Sequence, residues 1–390
     1  MSDQSQQACD LLVIGGGVLG TFHAYHAARS GLKVAVLEQH LAPRGATTRN
    51  FGQVVPSGMA EPWQTLGRRS LEIYSGIQDQ FDISVRQNGS IYLASNDEEV
   101  TLIDELAALN ETRGYQSERW SAEKCRNKYP NLRADYCRGG LYFPQEVSVN
   151  PRQMIHRLHR FLEEQCRVEF FYQRLAVRLE ENIDGTSTVL TSDGTSFSAE
   201  KVVVCSGSEF QTLFPELFEQ SALEVVKLQM LRLAPLMDVS MPGNILTGLS
   251  IRRYESFAEC PSYQTIVRHQ PEESFWKKWG VHILFKQEAD GGIILGDSHE
   301  YAPAARADDL DFDLREDINR YFVEEARKIF DLPSWEIEAA WYGLYSQTDE
   351  EGGIFQRQIG ERIHIVTGIG GKGMTGSAAF AEKHIKEITR

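Results

Sequence analysis

The sequence predicts an α/β fold in which segments of two domains alternate along the chain, and three observations support this prediction. Near the N-terminus, residues 10–38 have the pattern of an apolar strand, a glycine-rich turn, a helix and a second strand. Near the C-terminus, residues 362–375 repeat the order of strand and glycine-rich turn. Between them, residues 225–297 contain longer strands with alternating apolar residues. A parallel sheet covered by helices and a separate antiparallel sheet are therefore expected.

The composition is typical of a globular protein with room for two or more hydrophobic cores. The chain has 390 residues, of which 42% are hydrophobic and 24% are charged. Its formal net charge of −15 argues against sequence-independent binding of nucleic acid, which requires clustered cations. An anionic ligand would have to be held by local cations against this overall charge.

The sequence shows no targeting signal or membrane span. Its first nine residues are polar, and no apolar run reaches about 18 residues. We therefore expect a cytoplasmic protein without a membrane partner. The cysteines form no CxxC pair and have no metal-ligand spacing, so reduced thiols and no bound metal are expected. These cysteines are Cys9, Cys125, Cys137, Cys166, Cys205 and Cys260.

The N-terminal unit contains a GxGxxG turn between its first strand and its helix. Gly15 permits the tight turn, Gly17 lets the backbone approach a pyrophosphate, and Gly20 lets helix and strand pack closely. The helix begins near Val18 and Leu19, so its free N–H groups and positive dipole end point at the phosphates. This pattern predicts a dinucleotide site, and an ordinary βαβ turn is the alternative.

Two further features narrow the nucleotide to FAD. Glu38 ends the second strand, where a carboxylate accepts hydrogen bonds from ribose hydroxyls and disfavours a 2′-phosphate, so FAD or NAD is expected and NADP is not. The C-terminal glycine turn supplies a second helix N-terminus that could face phosphate or flavin, which a simple NAD dehydrogenase does not need. A structural αβ loop is the alternative for this turn. Its residues are Gly370, Gly371, Lys372, Gly373, Met374 and Thr375.

Hydrophobic periodicity predicts the remaining elements. Alternation within 225–297 indicates an antiparallel sheet with one half-exposed face. The predicted strands cover 90–93, 168–171, 199–205, 225–233, 280–286, 292–297 and 362–368, and the predicted helices cover 96–109, 314–329, 377–388 and a segment that starts at Pro151.

Taken together, these motifs resemble the D-amino-acid oxidase and glycine oxidase superfamily of FAD enzymes. The resemblance extends over essentially the whole chain and includes 48–52, 202–207 and 370–375. It implies a discontinuous Rossmann-type FAD-binding domain and an α+β substrate domain with an antiparallel sheet. On this basis the FAD-binding domain comprises 1–85, 150–220 and 335–390, and the substrate domain comprises 86–149 and 221–334.

The resemblance also implies which residues hold the cofactor. Thr47, Thr48, Arg49 and Asn50 would follow the FAD pyrophosphate and ring, although helix capping is the alternative for the two threonines. Further cofactor residues would be Ser206 and Gly207, and Val177, whose backbone would hold the adenine. Sarcosine-oxidase-like members attach the flavin to a cysteine before the C-terminal turn. Residues 341–345 contain none, so non-covalent FAD is expected.

Three stretches are similar to a bacterial subgroup of aminophosphonate oxidases, namely 227–232, 252–257 and 296–301. This similarity implies oxidation of 2-aminoethylphosphonate, or of its N-methyl or hydroxylated relatives. In the superfamily, the C–H next to the amine nitrogen gives a hydride to the flavin and the imine is hydrolysed. The products would be an aldehyde, ammonia or methylamine, and hydrogen peroxide formed from molecular oxygen.

Candidate catalytic residues carry a positive charge or a polar ring. Lys372 stands in the glycine turn where glycine oxidase has an arginine, and a solvated loop lysine is the alternative. Arg252 and Tyr254 would share one face of a strand and suit a phosphonate, with Arg253 facing away. Two histidines could point into the pocket or be satisfied structural residues. These are His282 and His299.

Other functions remain open at this point. The protein could be a glycine or sarcosine oxidase that binds a carboxylate, or an amine dehydrogenase that passes electrons to a quinone or a partner protein. It could also be a non-catalytic FAD-binding sensor. The sequence indicates no oligomeric state.

Overall fold

The computed structural model describes residues 7–390. The strands are β1 Gln7–Ile14, β2 Val34–Glu38, β3 Gln53–Val54, β4 Ser90–Ala94, β5 Glu118–Ser121, β6 Gly139–Phe143, β7 Val147–Ser148, β8 Glu169–Tyr172, β9 Ala176–Glu181, β10 Ser187–Thr191, β11 Ser196–Val204, β12 Leu223–Leu233, β13 Asn244–Leu246, β14 His282–Gln287, β15 Ile293–Asp297, β16 Glu300–Pro303, β17 Ile337–Thr348, β18 Phe355–Ile359 and β19 Ile363–Thr367.

The helices are α1 Val18–Arg29, α2 Trp63–Gln78, α3 Asp97–Thr112, α4 Ala122–Lys128, α5 Pro151–Cys166, α6 Pro215–Glu219, α7 Gly248–Ile251, α8 Glu255–Ala258, α9 Tyr263–Arg268, α10 Phe275–Lys278, α11 Glu316–Ile329 and α12 Gly373–Ile388. Short 3₁₀ turns cover Ala46–Thr48, Pro56–Gly58, Ala304–Asp309 and Gly370–Lys372. No helix of the described residues is both long and apolar enough to cross a bilayer.

The first sheet is the expected parallel sheet. Its strand order is β18-β19-β11-β1-β2-β8, with β10 and β9 attached through β11. The pairs β19–β11, β11–β1, β1–β2 and β2–β8 are parallel. Its neighbouring strands come from distant parts of the sequence, since Leu12 of β1 lies beside Val202 and Ala35. The discontinuous arrangement is thus visible in the strand order.

Helices cover one face of this sheet because its strands are apolar on both sides. Leu11 and Val13 of β1 belong to the core that contains α1, α2, α5 and α12. Leu12 and Ile14 point to the opposite face and pack with residues of β9, β10 and β11. Side chains alternate along a strand, so this continuous apolar run serves two cores at once.

The second sheet is largely antiparallel, as expected. Its order is β16-β12-β15-β14-β13-β4-β6-β5, and β17 also pairs with β12. The expectation of a half-exposed face is wrong, because both faces are covered. Leu231 and Leu295 pack into a core with α11, while Met230 and Ile294 pack into a separate core that includes α3 residues. Alternation here reflects two buried faces.

The expected domain boundary at residue 335 disagrees with the strand pairing. Strand β17 is antiparallel to β12 along nearly its whole length, from Leu223↔Thr348 to Leu233↔Ile337. Residues 337–348 therefore belong to the second sheet. We place the boundary after Thr348, so that the first domain resumes with β18.

Predicted elements match the structure in type and shift at their ends. Helix α12 begins at Gly373, four residues before the expected start at 377, because the 3₁₀ turn Gly370–Lys372 runs directly into it. Helix α5 begins at Pro151 as expected, with the Asn150 side chain accepting from the backbone N–H groups of Arg152 and Gln153.

Candidate active site

A cavity of about 860 Å³ lies between the two sheets. One end is formed by the N-terminal glycine turn, Glu38 and residues 43–55. The other end is formed by side chains of β12, β14, β15 and β17 together with the C-terminal glycine turn. Cofactor and ligand cavities are commonly about 300–1,000 Å³ in volume, so a nucleotide and a small substrate are of suitable size.

The glycine turn leaves room for a phosphate group beside the backbone. Gly15 has φ +105°, and a Cβ there would lie 2.3 Å from the backbone oxygen of Cys205. Gly17, Val18 and Leu19 also line the cavity. Gly20 lies behind the wall, where a Cβ would come within 2.0 Å of the Gly15 oxygen, so its role is the close helix–strand packing predicted above.

Glu38 is held at the cavity wall in the position expected of a ribose-binding acid. The residue is buried. One carboxylate oxygen accepts from the Gly16 amide at 3.1 Å, and the other accepts from the His40 amide at 2.9 Å. Each oxygen keeps a lone pair for a hydroxyl donor. Together with the bare glycine turn and the N-terminus of α1, this acid fits an FAD nucleotide.

The loop after Glu38 contributes some of the expected residues. Thr47 lines the cavity and its hydroxyl accepts from the Val18 amide at 2.9 Å, so it caps α1. Arg49 lines the cavity and donates to the Tyr342 oxygen at 3.3 Å. Asn50 also lines it, but its amide nitrogen donates to the oxygens of Ala46 and Thr47. Its side chain is therefore used within the loop.

Two expected cofactor residues lie outside the cavity wall. Thr48 turns away, and its hydroxyl points to the Gly45 oxygen at 3.3 Å. Val177 is an exposed residue of β9, and the wall beside it is made by 174–176. The bend before β9 brings Arg174, Leu175 and Ala176 to the cavity, so the adenine expectation moves to these residues. Ser206 and Gly207 line the cavity as expected.

All six residues of the C-terminal glycine turn line the cavity: Gly370, Gly371, Lys372, Gly373, Met374 and Thr375. The Lys372 ammonium lies 3.5 Å from a carboxylate oxygen of Glu255 and 5.6 Å from the centre of the Trp63 ring. Its side chain is 18% exposed. The expectation that no side chain shields this lysine is wrong, since both neighbours approach it from other elements.

The two adjacent arginines exchange the positions expected for them. Residues 248–251 form the helical turn α7 rather than a strand, so alternation does not apply. Arg252 is directed away from the cavity and pairs with Glu98 and Glu99, each at 2.9 Å. Arg253 lines the cavity, and one of its nitrogens donates to the Tyr301 hydroxyl at 3.0 Å. Arg252 is therefore a structural residue and Arg253 a site residue.

Aromatic rings surround the Arg253 side of the cavity. Tyr254 lines the cavity and meets the His282 ring edge-on, with centroids 5.6 Å apart. The rings of His282 and His299 are also 5.6 Å apart, and His299 stacks on Tyr301 at 6.2 Å. The expectation that both histidines point into the pocket agrees with their place in its wall.

Asp297 joins these histidines and was missed in the sequence. It lies opposite His282 in the β14–β15 register, and its carboxylate is in close contact with the Nε2 atom of His282. Burial alone would raise the pKa of Asp297, but the neighbouring His282 and His299 lower it below its ordinary value. An acid at the end of the buried strand 293–297 was the available signal, although only strand pairing reveals its neighbours.

The donor atoms of the three side chains lie within 4.8 Å of one another, close enough to share a cation. His282 contacts the Ser250 hydroxyl through Nδ1 at 3.3 Å. Burial and the nearby Arg253 charge lower the pKa of His299 to about 3, so this imidazole is neutral. We call Asp297, His282 and His299 the acceptor cluster.

Comparison with known proteins gives consistent results. The family model described as FAD dependent oxidoreductase matches residues 10–385. One of the two kinds of chain in the opine oxidase of Rhizobium meliloti is 23% identical over 375 residues, which cover 89% of this chain and 87% of that protein.

Two solved structures share the fold. Glycine oxidase from Geobacillus kaustophilus has a TM-score of 0.75 at 16% identity, covering 98% of this chain and 95% of that one. L-α-glycerophosphate oxidase from Mycoplasma pneumoniae, solved with FAD bound, has a TM-score of 0.76 at 14% identity, covering 99% and 96%. At these identities the structural likeness establishes the fold alone.

Proposed function

The chain belongs to the family of FAD-dependent oxidoreductases, and we propose that it oxidises a small amine that also carries an anionic group. FAD supplies the hydride acceptor when it is bound. The protein's own residues then have three tasks, which are to hold the nucleotide, to anchor the substrate anion and to orient the amine. The similarity to the opine oxidase of Rhizobium meliloti supports an amine donor.

The observation that carries this proposal is the guanidinium of Arg253. It opens into the cavity, and within residues 7–390 no carboxylate oxygen lies within 4.0 Å of it. A guanidinium presents its donors in a planar fork that matches the oxygens of a phosphonate or carboxylate. The Tyr301 hydroxyl fixes the side chain from one edge, which leaves the other donors for an anion.

We propose an aminophosphonate, such as 2-aminoethylphosphonate or its N-methyl or hydroxylated relatives, as the substrate. A phosphonate offers three oxygens and can carry two negative charges, and the cavity wall supplies a second cation in Lys372. The Glu255 carboxylate that pairs with Lys372 is exposed and could release it. A glycine- or sarcosine-type amino acid is the second candidate, because Arg253 alone satisfies a carboxylate.

Anaerobic reduction of the bound flavin tests these candidates against each other. The purified yellow protein is mixed with 2-aminoethylphosphonate, N-methyl-2-aminoethylphosphonate, β-alanine, glycine and sarcosine, and the loss of flavin absorbance is followed. We expect the phosphonates to reduce the flavin at least tenfold faster than their carboxylate counterparts at equal concentration. Faster reduction by β-alanine or sarcosine would transfer the assignment to a carboxylate, and no reduction by any amine would remove the amine proposal.

Molecular oxygen is the electron acceptor that we propose. The expected products are an aldehyde, ammonia or methylamine, and hydrogen peroxide. Peroxide released in air should equal the amine consumed. Turnover that needs an added quinone or dye, with little peroxide, would identify an amine dehydrogenase.

A further inference from the structure

We infer that Asp297 and the Nε2 atom of His299 form the binding site for the substrate's ammonium group, so that the enzyme selects a zwitterion with its anion on Arg253. This inference rests on the proposed function, because it assigns the second half of the same substrate. It adds a carboxylate and a fixed imidazole lone pair to the arginine already described.

The tautomer of His299 follows from one contact. Its Nδ1 atom lies 2.9 Å from the backbone oxygen of Gly280, and a carbonyl oxygen can only accept a hydrogen bond. Nδ1 must therefore carry the proton. Because the imidazole is neutral, Nε2 has a bare lone pair, and this atom lies at the cavity with the rest of the acceptor cluster.

Asp297 is a buried acid that lacks enough donors. It is 6% exposed and lines the cavity. Its Oδ1 atom is in close contact with His282, yet the geometry gives that oxygen no well-formed hydrogen bond. Buried carboxylate oxygens without donors are costly, so an incoming group with several N–H donors would be bound strongly. An ammonium group offers three such donors.

The charge of Arg253 distinguishes a zwitterion from a metal ion. The guanidinium lies near enough to the acceptor cluster to lower the pKa of His299 and of Asp297. A divalent cation would place two more positive charges beside it. A zwitterionic substrate brings its own anion to Arg253, which compensates that charge while the ammonium occupies the acceptors.

The same arrangement can remove the proton that hydride transfer from the amine requires. The substrate ammonium gives one proton to His299 Nε2, which leaves a neutral amine with a free electron pair and an imidazolium. Asp297 then stabilises the imidazolium, and the anion bound to Arg253 removes one cause of its weak basicity. His282 is a positioning residue here, since it holds Asp297 from the far side and contacts Ser250.

Two ligands that share one anion separate ammonium binding from anion binding. 2-Aminoethylphosphonate carries the amine and ethylphosphonate lacks it. Both are titrated into the FAD-loaded enzyme, with the flavin absorbance change or heat as the signal and anaerobic stopped flow for the amine. In Asp297→Asn and His299→Gln, we expect the dissociation constant of the aminophosphonate to rise at least tenfold. That of ethylphosphonate should stay within twofold of the wild-type value.

The outcomes separate this inference from the function on which it rests. If no amine reduces the wild-type flavin, the proposed function fails. If the wild type is reduced and both variants bind the aminophosphonate as tightly as it does, the ammonium site is refuted. Should Asp297→Asn not load FAD, His299→Gln alone decides by the same ratio. Stoichiometric Zn²⁺ binding by the wild type, lost in either variant, would show a metal site and overturn the inference.

Discussion

The Arg252 guanidinium lies 2.9 Å from the Glu99 carboxylate, and this ion pair separates two adjacent arginines. The side chains of Arg252 and Glu99 are only 11% and 4% exposed. Glu99 also accepts from the Ser95 amide and hydroxyl, each at 2.8 Å, so the acid is fixed on the first turn of α3. With Arg252 tied to α3, the backbone directs Arg253 into the cavity.

The first prediction concerns this division of roles. Arg253→Met should raise the dissociation constant of ethylphosphonate by about 10–100-fold, because a charge-assisted hydrogen bond to an anion contributes about 1.5–3 kcal/mol. Arg252→Met is the matched control. It should leave that constant nearly unchanged but destabilise the protein by about 3 kcal/mol, since it strands a buried carboxylate. Ligand titration and urea unfolding give the two values, and equal effects on binding would contradict the assignment.

The second prediction concerns Lys372. Lys372→Met should lower turnover at least tenfold, because the cavity loses a cation that can hold the substrate anion or stabilise charge as oxygen is reduced. Lys372→Arg keeps the charge and should retain more activity. Steady-state kinetics of the three proteins provide the measurement. Near-normal kinetics in the methionine variant would remove this residue from the site.

The third prediction is a loss of stability in acid caused by buried histidines. The His23 Nε2 atom lies 2.9 Å from His384 Nδ1 between α1 and α12. Burial lowers the pKa of His23 to about 3 and that of His384 to about 4, below the ordinary value of 6.5. Below pH 6.5 the unfolded chain therefore binds more protons, and stability falls as the pH decreases.

At pH 5, each fully buried imidazole should cost about 2 kcal/mol relative to pH 7.5. Urea unfolding at the two pH values measures the difference. His384→Gln should make the stability less dependent on pH, whereas His269→Gln, at an exposed position, should leave the dependence unchanged. Identical pH dependence in all three proteins would exclude this pair as the cause.

The fourth prediction is that the flavin is not covalently attached. Among the cavity-lining residues of the described chain, Cys205 is the only cysteine. Burial raises the pKa of its thiol well above the ordinary value, so the reactive thiolate is scarce. Acid precipitation should release the yellow chromophore into the supernatant. Colour that stays with the pellet would show a covalent bond.

The fifth prediction separates backbone strain from steric exclusion in the glycine turn. Gly15→Ala combines a positive φ with a Cβ that would collide with Cys205, and we expect loss of FAD binding. Gly31→Ala has a similar φ of +91° but meets no atom within 4 Å. It should cost only about 1–2 kcal/mol of stability and keep the cofactor. FAD content after purification and thermal unfolding distinguish the two.

Local patterns predicted the cofactor end well. The spacing of Gly15, Gly17 and Gly20 and the acid at Glu38 lie within one short unit, so neighbouring residues determine their geometry. The alternation of Val281, His282 and Ile283 likewise indicated a strand side chain directed to one face. These inferences needed no knowledge of which distant elements touch.

The substrate end depended on contacts between distant segments, which the sequence does not display. Arg252 was misplaced because Gly248–Ile251 forms a helical turn whose stability comes from packing against β4 and β14. Asp297 was missed because the register of β14 and β15 sets it opposite His282. Strand β17 was assigned to the wrong domain because its pairing with β12 joins segments about a hundred residues apart.

The packing of α12 has a consequence for how the protein is made. This helix lies against α1 and α2, and its first residues, Gly373, Met374 and Thr375, close the cavity wall. The ribosome adds them after the other strands of the parallel sheet have been synthesised. Nucleotide capture must therefore wait until translation has passed this segment, and a cell short of riboflavin would accumulate finished chains with an open cradle.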